Sequence, residues 1–287
     1  MKQLFARYTE LGNGSADYHS GTPSFQQRQS YQRSVAGMST NQAPNQAVTD
    51  KDIGSKSTRL HLVNQALRYV GDVLDSTQYT AVNLARNQIK NIDALATLPR
   101  LIDLNLSDNG LDEIHALAKI TSLRYLNLSS NQIEDVYPLR HHLQLKVLVL
   151  SDNHITDIVP LSKLYGLQAL YLNNNHINDV SALKKVGCLE GLKILDLSYN
   201  QLSQICSLID VSNLEQLSLR NNLIRDVACL SEMTNLKELY LGYNQIMDIR
   251  PLANLKNLQW LGIKNNPVID EDVVWLKEQL PNCTICH

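Results

Sequence analysis

The chain has 287 residues, enough for one large domain or two ordinary ones, and 44% of them are hydrophobic. Only two Phe and two Trp are present, so aliphatic side chains must build the core. The formal net charge of -2 provides no positive surplus for a nucleic-acid backbone or an anionic membrane surface, and we therefore expect neither as a partner.

Two segments precede the main repeat. Residues 1–56 are rich in Ser, Gln, Asn, Thr and Gly without a sustained period, which predicts a flexible polar tail. Within it, Leu4, Tyr8 and Leu11 have the spacing of a short helix, although a transient turn fits them as well. In residues 57–78 an apolar residue recurs every three or four positions, which predicts an amphipathic helix that caps the first coil. The apolar positions are Leu60, Val63, Leu67, Val70 and Leu74.

A repeat of 22 residues, lengthened once, occupies residues 79–269 and is marked by a recurring asparagine. The residues three and five positions before each asparagine are aliphatic, and so is the residue two positions after it. This pattern predicts a short strand with its leucines facing inward, and stacked copies predict a parallel sheet of nine coils. The asparagine amide can satisfy backbone groups at the bend. The asparagines are Asn87, Asn109, Asn131, Asn153, Asn175, Asn200, Asn222, Asn244 and Asn266.

The repeat is irregular in two places and then ends. Three residues are added in the stretch 184–191, which contains Cys188 and predicts a longer convex turn. His142 stands where other repeats have an aliphatic residue, so we expect Leu143 to move into the core in its place. Residues 270–287 depart from the repeat and predict a C-terminal cap, with a helix over 270–280 and a last extended piece after Pro281.

Residues 236–255, LKELYLGYNQIMDIRPLANL, resemble the 22-residue leucine-rich repeat that bacterial internalins share with the leucine-rich regulatory subunit of type-1 protein phosphatase. The resemblance covers residues 79–269. It implies an α/β repeat fold, a right-handed solenoid with a concave parallel β-sheet and helical caps at both ends, which binds a protein partner on its concave face. Two roles stay open: a monomeric, non-enzymatic scaffold such as a bacterial effector in a host cell, or a regulatory subunit of a protein phosphatase.

The concave face follows from strand alternation, because the residues six, four, two and one before each repeat asparagine point away from the core. From the third repeat onward these positions carry aromatic, aliphatic and charged side chains, which favours a surface for a folded protein partner. The alternative is that such residues prefer strands and cover one another there. The expected partner-binding residues are Tyr125, Val147, Val149, Tyr171, Ile194, Asp196, Tyr199, Arg220, Glu238, Tyr240, Tyr243, Trp260 and Lys264.

Three other patterns could carry chemistry. A mostly acidic column four residues after each asparagine could meet a basic partner or a cation, but the pattern favours a structural role in which each side chain accepts a backbone N–H where the convex segment begins. His154 and His176 follow their asparagines directly and could share a metal or sense pH, yet glutamine fills the same column in other repeats. The sequence Cys283-Thr-Ile-Cys286-His287 matches the c-type haem pattern at the end of the chain, where no pocket is expected. We therefore expect no catalytic residue, no metal and no cofactor.

Cysteine usage and the start of the sequence bear on the compartment. Five cysteines, an odd number at irregular spacing, argue against a disulfide framework and for a reducing compartment. The first 14 residues lack the continuous apolar core of a secretory signal. These observations predict a protein of the cytosol, or one delivered into a host cell by a specialised secretion system.

Overall fold

The computed structural model describes residues 58–74, 78–184 and 189–287. Among these residues, eleven strands form one parallel sheet in which each strand pairs with the next along the chain. The predicted tail and its short helix lie outside the described residues, and so do residues 185–188 of the predicted insertion. The strands are β1 (Arg59–His61), β2 (Ala81–Asn83), β3 (Asp103–Asn105), β4 (Tyr125–Asn127), β5 (Val147–Val149), β6 (Ala169–Tyr171), β7 (Ile194–Asp196), β8 (Gln216–Ser218), β9 (Glu238–Tyr240), β10 (Trp260–Gly262) and β11 (Thr284–Cys286).

Short 3-10 helices form the return segment of the coils. Three of them contain proline in the first turn, where its fixed φ suits a helix and its missing N–H leaves no bond unmade. The 3-10 helices in the described ranges are Gly71–Val73, Asp93–Thr97, His115–Lys119, Tyr137–Leu139, Val159–Leu161, Ser181–Leu183, Cys206–Asp210, Ala228–Glu232 and Arg250–Asn254.

The core is a stack of aliphatic layers between the sheet and the return segments. The middle residue of each strand and the first residue after the strand point inward, as Leu104 and Leu106 do with 0% exposure. Leu104 pairs in register with Leu126, and Leu126 with Leu148, so the same layer continues from coil to coil. Because each coil rests on its neighbours, the stack as a whole buries the apolar surface that one coil would expose.

The repeat asparagines join adjacent coils by hydrogen bonds. The side-chain amide of Asn131 donates to the carbonyl oxygens of Leu128 in its own coil (2.9 Å) and Leu106 in the preceding coil (3.1 Å). Its Oδ1 accepts from the backbone N–H of Leu111 at 3.0 Å. The same three contacts recur at the other repeat asparagines. The prediction that this amide satisfies the bend is confirmed, and the amide also links consecutive coils.

A second asparagine ladder lies at the other end of the strands. Asn213, Asn235 and Asn257 each donate from the side chain to a carbonyl oxygen of the preceding coil at 2.9–3.0 Å. The sequence interpretation missed these residues, although each lies nine positions before a repeat asparagine. That constant offset is the signal that could have identified them.

The amphipathic helix predicted for 57–78 is wrong for the part of it that the structure describes. That part contains β1 and the 3-10 helix Gly71–Val73, and Leu60 of β1 pairs in register with the middle residue of β2. Gln65 holds the position of the repeat asparagine, and its backbone N–H donates to Oδ1 of Asn87 at 2.9 Å. The segment is therefore a further coil of the stack. A helix and a coil both repeat apolar residues at intervals of three or four, so the spacing alone did not distinguish them.

The predicted C-terminal helix is present as α1 (Asp270–Gln279), and the extended piece after it is β11. Val273 and Leu276 of α1 are buried against the core. Arg250 of the preceding return segment donates from Nη2 to Oδ1 of Asp272 at 2.9 Å, which ties α1 to the solenoid. In the described parts of the chain, no helix has the length and apolarity to cross a membrane.

His142 fills the core position that we expected Leu143 to take. His142 is 0% exposed, whereas Leu143 is 51% exposed, so that expectation is wrong. The reason is the backbone: the N–H of His142 donates to the carbonyl of Leu139 at 3.0 Å, as the aliphatic residues at this position do in neighbouring coils. The side chain therefore points inward. Burial lowers the pKa of His142, opposed by hydrogen bonding to backbone carbonyls, of which Leu139 lies 3.2 Å from Nδ1.

Candidate functional site

The candidate binding surface is the side of the sheet that faces away from the leucine core. Alternation along each strand puts its first and third residues on that side. We call these residues in β2–β10, together with the two residues before each repeat asparagine, the sheet face. The sheet face has three parts that differ in chemistry.

The first part of the sheet face is polar and takes part in the turns. Asn83, Asn105 and Asn127 each end a strand, and Oδ1 of each accepts the backbone N–H two residues later at 2.9–3.1 Å. Asp196 does the same for Ser198 at 2.9 Å and also accepts the hydroxyl of Ser198 at 2.6 Å. Asp196 is only 5% exposed, so its predicted place among the partner-binding residues is corrected: it stabilises the strand exit.

The second part is apolar, but only some of it is accessible. Tyr125 is 47% exposed, and Val147 and Ile194 are half-buried. Val149 and Tyr171 are 4% and 1% exposed, so the expectation that they stand open to a partner is wrong. These two residues pair in register on β5 and β6, in the middle of the sheet. At a strand spacing of about 4.8 Å, side chains there have neighbours on both flanks, which cover them.

The third part concentrates aromatic and charged side chains. Tyr199, Arg220 and Tyr243 come from three consecutive coils, and the guanidinium carbon of Arg220 lies 4.6 Å from the ring centroid of Tyr243 and 6.0 Å from that of Tyr199. We call these three residues the tyrosine–arginine cluster. A cation at such distances from aromatic ring faces is attracted by their negative charge density. Lys264, two coils beyond Arg220, is exposed.

Trp260, Tyr240 and Glu238 lie on the paired strands β9 and β10 and are half-buried. The hydroxyl of Tyr240 donates to Oε2 of Glu238 at 2.9 Å. Burial raises the pKa of Tyr240 well above its ordinary value, and the negative charge of Glu238 adds to the effect. The phenol therefore stays protonated and acts as a hydrogen-bond donor. The structure thus brings the predicted residues of this part together in two groups: Tyr199, Arg220 and Tyr243 in one, and Glu238, Tyr240 and Trp260 in the other.

The acidic column has the structural role that the sequence favoured. Asp135, Asp157, Asp179, Asp226 and Asp248 each accept, through Oδ1, the backbone N–H two residues later at 2.7–2.9 Å. These bonds fix the start of the return segment in five coils. One oxygen of each carboxylate is therefore committed to the fold.

The two histidines that we expected to be neighbours are stacked. The ring centroids of His154 and His176 are 5.6 Å apart, and the planes differ by 5°. Parallel rings direct their nitrogen lone pairs alongside one another and not toward a common point, which does not suit chelation of one ion. In the described ranges, no group of three or more His, Cys, Asp or Glu residues is placed to hold a metal.

Two cysteines form a disulfide that the sequence interpretation did not expect. Cys206 and Cys229 join the return segments of adjacent coils, with their Cα atoms 5.4 Å apart. Their separation of 23 residues looks irregular along the chain, but it is close to one repeat and puts them side by side on neighbouring coils. The inference against disulfides was wrong because cysteine spacings were not compared with the repeat length.

The last two cysteines lie on different sides of the sheet. Cys283 packs against the core, and burial raises the pKa of its thiol to about 11. Cys286 is exposed on β11, next to the buried Ile285. A haem bound through two thioethers needs both sulfurs on one accessible side, and this arrangement does not fit that group.

Comparisons with known proteins agree with the geometry. The family model described as "Leucine Rich repeats (2 copies)" matches residues 143–185, 212–254 and 234–282, and the model "Leucine rich repeat" matches residues 78–133 and 165–224. Internalin C2 of Listeria monocytogenes is similar to the chain, with 31% identity and a TM-score of 0.59, over 67% of this chain and 81% of that one. A search of curated proteins finds no match.

A plant structure has the same fold at lower identity. The plant peptide hormone receptor RGFR1, in complex with RGF2, is 20% identical with a TM-score of 0.62, over 82% of this chain and 38% of that one. At this identity the likeness shows the fold alone. Together these comparisons describe a repeat scaffold of the kind that typically binds proteins.

Proposed function

Because the chain belongs to the leucine-rich-repeat family, with internalin-type neighbours, we propose that it is a non-enzymatic scaffold that binds a folded protein on the sheet face. The observation that carries the proposal is the set of large side chains that remain accessible there, from Tyr125 to Trp260. Tyr and Trp contribute large contact areas at protein interfaces for little rotamer entropy. The peptide hormone receptor with this fold supports a polypeptide as the class of ligand.

The general preference of aromatic residues for β-strands does not explain why these side chains are found in the later strands of the sheet. The strands β2 and β3 have the same length and pairing as β9 and β10. Their sheet-face positions carry Ala81, Asn83, Asp103 and Asn105, and the sheet forms without aromatic residues. Aromatic residues are therefore not required by the solenoid, and their concentration in later coils supports a localised binding surface.

The test is the loss of binding when this surface is truncated. The triple variant Tyr125→Ala, Tyr240→Ala and Trp260→Ala removes three accessible rings from the sheet face. We expect it to retain no partner when immobilised and exposed to native extract, with retained proteins quantified by mass spectrometry against the unmodified chain. Thermal unfolding checks that the fold survives. Tyr125 is exposed, whereas Tyr240 and Trp260 are half-buried, so we expect the triple variant to melt at a somewhat lower temperature but to remain folded.

A matched control removes equally large side chains from elsewhere. Tyr137, Tyr165 and Met247 are 55%, 51% and 70% exposed and lie outside the sheet face. The triple Ala variant at these positions should retain the same partner as the unmodified chain. A partner lost equally from both triple variants, or kept by both, would remove the sheet face as the binding surface.

The disulfide supports an oxidising compartment, in place of the cytosol that the sequence predicted. A disulfide such as the one between Cys206 and Cys229 persists only in a compartment where thiols are not kept reduced. Among the described residues, Cys283 and Cys286 are free thiols. Alkylation of protein from its native source, followed by mass spectrometry, should find Cys206 and Cys229 unmodified until a reductant is added. If both cysteines are alkylated without a reductant, the disulfide is absent and the prediction of a cytosolic protein stands again. The monomeric state stays a prediction, which sedimentation velocity checks.

A further inference from the structure

From the third to the eighth repeat, a column of mostly charged side chains runs along the start of the strands, seven positions before each repeat asparagine. In the later coils this column supplies its own counter-charge. Oε2 of Glu215 accepts from Nζ of Lys237 at 2.6 Å, and its Oε1 lies 3.2 Å from Nζ of Lys193. The hydrogen bond from Lys237 is the main reason that the pKa of Glu215 lies below its ordinary value. The column therefore suits a carboxylate that bridges two cations on adjacent coils.

The same column has two cations and no carboxylate at the start of β4 and β5. Arg124 and Lys146 directly precede these strands, and the backbone N–H of Lys146 donates to the carbonyl of Arg124 at 2.8 Å. Arg124 is exposed and Lys146 is half-buried, and we call these two residues the basic pair. Within the part of the chain that the structure describes, neither side chain forms an ion pair or a hydrogen bond. The flanking members of the column, Ile102 and Gln168, are uncharged.

Like charges side by side on neighbouring strands destabilise a sheet. The Lys–Glu–Lys arrangement at Lys193, Glu215 and Lys237 avoids this cost, because the central carboxylate separates the lysines. The basic pair has no such carboxylate among the described residues. Fold stability therefore does not explain the basic pair, and a counter-charge from outside the chain would complete it.

Apolar side chains of the sheet face adjoin the basic pair. Each of its members is followed directly by one of them, Tyr125 or Val147, and these two pair in register on β4 and β5. Tyr125 is 47% exposed and Val147 is half-buried. The carboxylate on the adjacent strand is that of Asp103, and it is attracted to Arg59 on β1. Two coils thus offer positive charge and accessible apolar surface in neighbouring positions.

Charge complementarity indicates what covers this surface. The N-terminal stretch of this chain, residues 1–56, has six Lys and Arg against four Asp and Glu, so it is not a complement to the basic pair. An acidic segment of another protein is. Its carboxylate would contact one cation with each oxygen, as the carboxylate of Glu215 contacts Lys237 and Lys193.

We propose that the basic pair anchors an acidic side chain of the protein partner, with one Asp or Glu carboxylate bridging Arg124 and Lys146 while an apolar residue beside it covers Tyr125. The inference rests on the proposed function, since it requires a partner on the sheet face. It adds the charge of the partner segment and the coils on which that segment lies.

The probe is the protein that the unmodified chain retains from native extract, identified by mass spectrometry and then purified. Its dissociation constant is measured by surface plasmon resonance on the immobilised full chain. The double variant Arg124→Gln and Lys146→Gln should weaken binding about tenfold or more. Each Asp and Glu of the probe is then exchanged for Lys in turn. One such exchange should abolish binding to the unmodified chain, and the double variant Arg124→Glu and Lys146→Glu should restore it.

The matched control is the double variant Lys90→Gln and Arg225→Gln. It changes the net charge by the same amount, and both residues are exposed and lie three positions after a repeat asparagine, off the sheet face. The dissociation constant should not change. Equal weakening by the control and by the basic-pair variant would show general attraction between net charges and overturn the anchor. Circular dichroism confirms that each variant is folded.

The anchor and the proposed function fail in different ways. A probe that binds the Arg124→Gln and Lys146→Gln chain at full strength, but not the Tyr125→Ala, Tyr240→Ala and Trp260→Ala chain, would overturn the anchor and leave the binding surface in place. The absence of any rescued charge exchange would also overturn the anchor alone. A chain that retains no protein, or a probe that the triple Ala variant binds unchanged, would overturn the proposed function and the anchor with it.

Discussion

Replacing one asparagine of the inter-coil ladder with alanine should destabilise the whole solenoid, and Asn153 allows the magnitude to be worked out. Its Oδ1 accepts the buried N–H of Ile133 at 3.0 Å, and its amide donates to the carbonyls of Leu128 and Leu150 at 3.1 and 3.0 Å. Each carbonyl has a second donor, from Asn131 and Asn175 respectively. Asn153→Ala therefore leaves one N–H without a partner and two carbonyls with one bond each.

An orphaned buried N–H costs about 1–3 kcal/mol, and each lost hydrogen bond about 0.5–1.5 kcal/mol. The free energy of unfolding of Asn153→Ala should therefore fall by about 2–6 kcal/mol in urea titrations followed by circular dichroism. The control is Asn178→Ala, at an exposed position of the next coil, which should change it by about 0.5 kcal/mol or less. A loss at Asn153 no larger than at Asn178 would refute the ladder as a source of stability.

Three further substitutions test other parts of the fold. Burial lowers the pKa of His142, so the unfolded chain binds more protons than the folded one and stability falls as the pH drops below about 6.5. His142→Leu should remove this loss, measured as the change in the urea midpoint between pH 7.5 and pH 5. The control variant His141→Leu should keep it. Gly166→Ala should lower the free energy of unfolding by about 1–3 kcal/mol, because its Cβ would lie 2.5 Å from a backbone oxygen. Gly110→Ala should change it little, because the nearest atom to its Cβ would be Cε of the Lys90 side chain, at 3.9 Å. Tyr243→Asn should leave the melting temperature unchanged or raise it, since asparagine suits its positive φ.

The fold was predictable because several columns of the repeat carry the same information. Leucines at fixed offsets from Asn109, for example, set the strand, its inward face and the turn at once. The first coil was missed because Gln65 replaces the asparagine that served as the marker. The disulfide of Cys206 and Cys229 was missed because it depends on proximity between coils, which becomes visible only when positions are compared across repeats.

The site was less predictable than the fold, for a physical reason. Alternation tells which side of the sheet a residue faces, and it placed Tyr171 correctly on the side away from the core. It does not tell how much of a side chain its neighbours cover, and Tyr171 is 1% exposed. Nor does it separate a contact residue from a turn residue. Asp196 could have been recognised by comparison with Asn105, which holds the same repeat position and makes the same turn contact.

The stability of this solenoid and the binding that we propose for it use different columns of the repeat. The leucine and asparagine columns hold the coils together through contacts that repeat at each step, so they leave the sheet face free to vary. Most of the residues before the repeat asparagines still follow backbone preference. Tyr199 and Tyr243 do not, and both border Arg220. Because a residue type that conflicts with local backbone preference is expected at functional positions, these two departures support the binding surface that we propose on the sheet face.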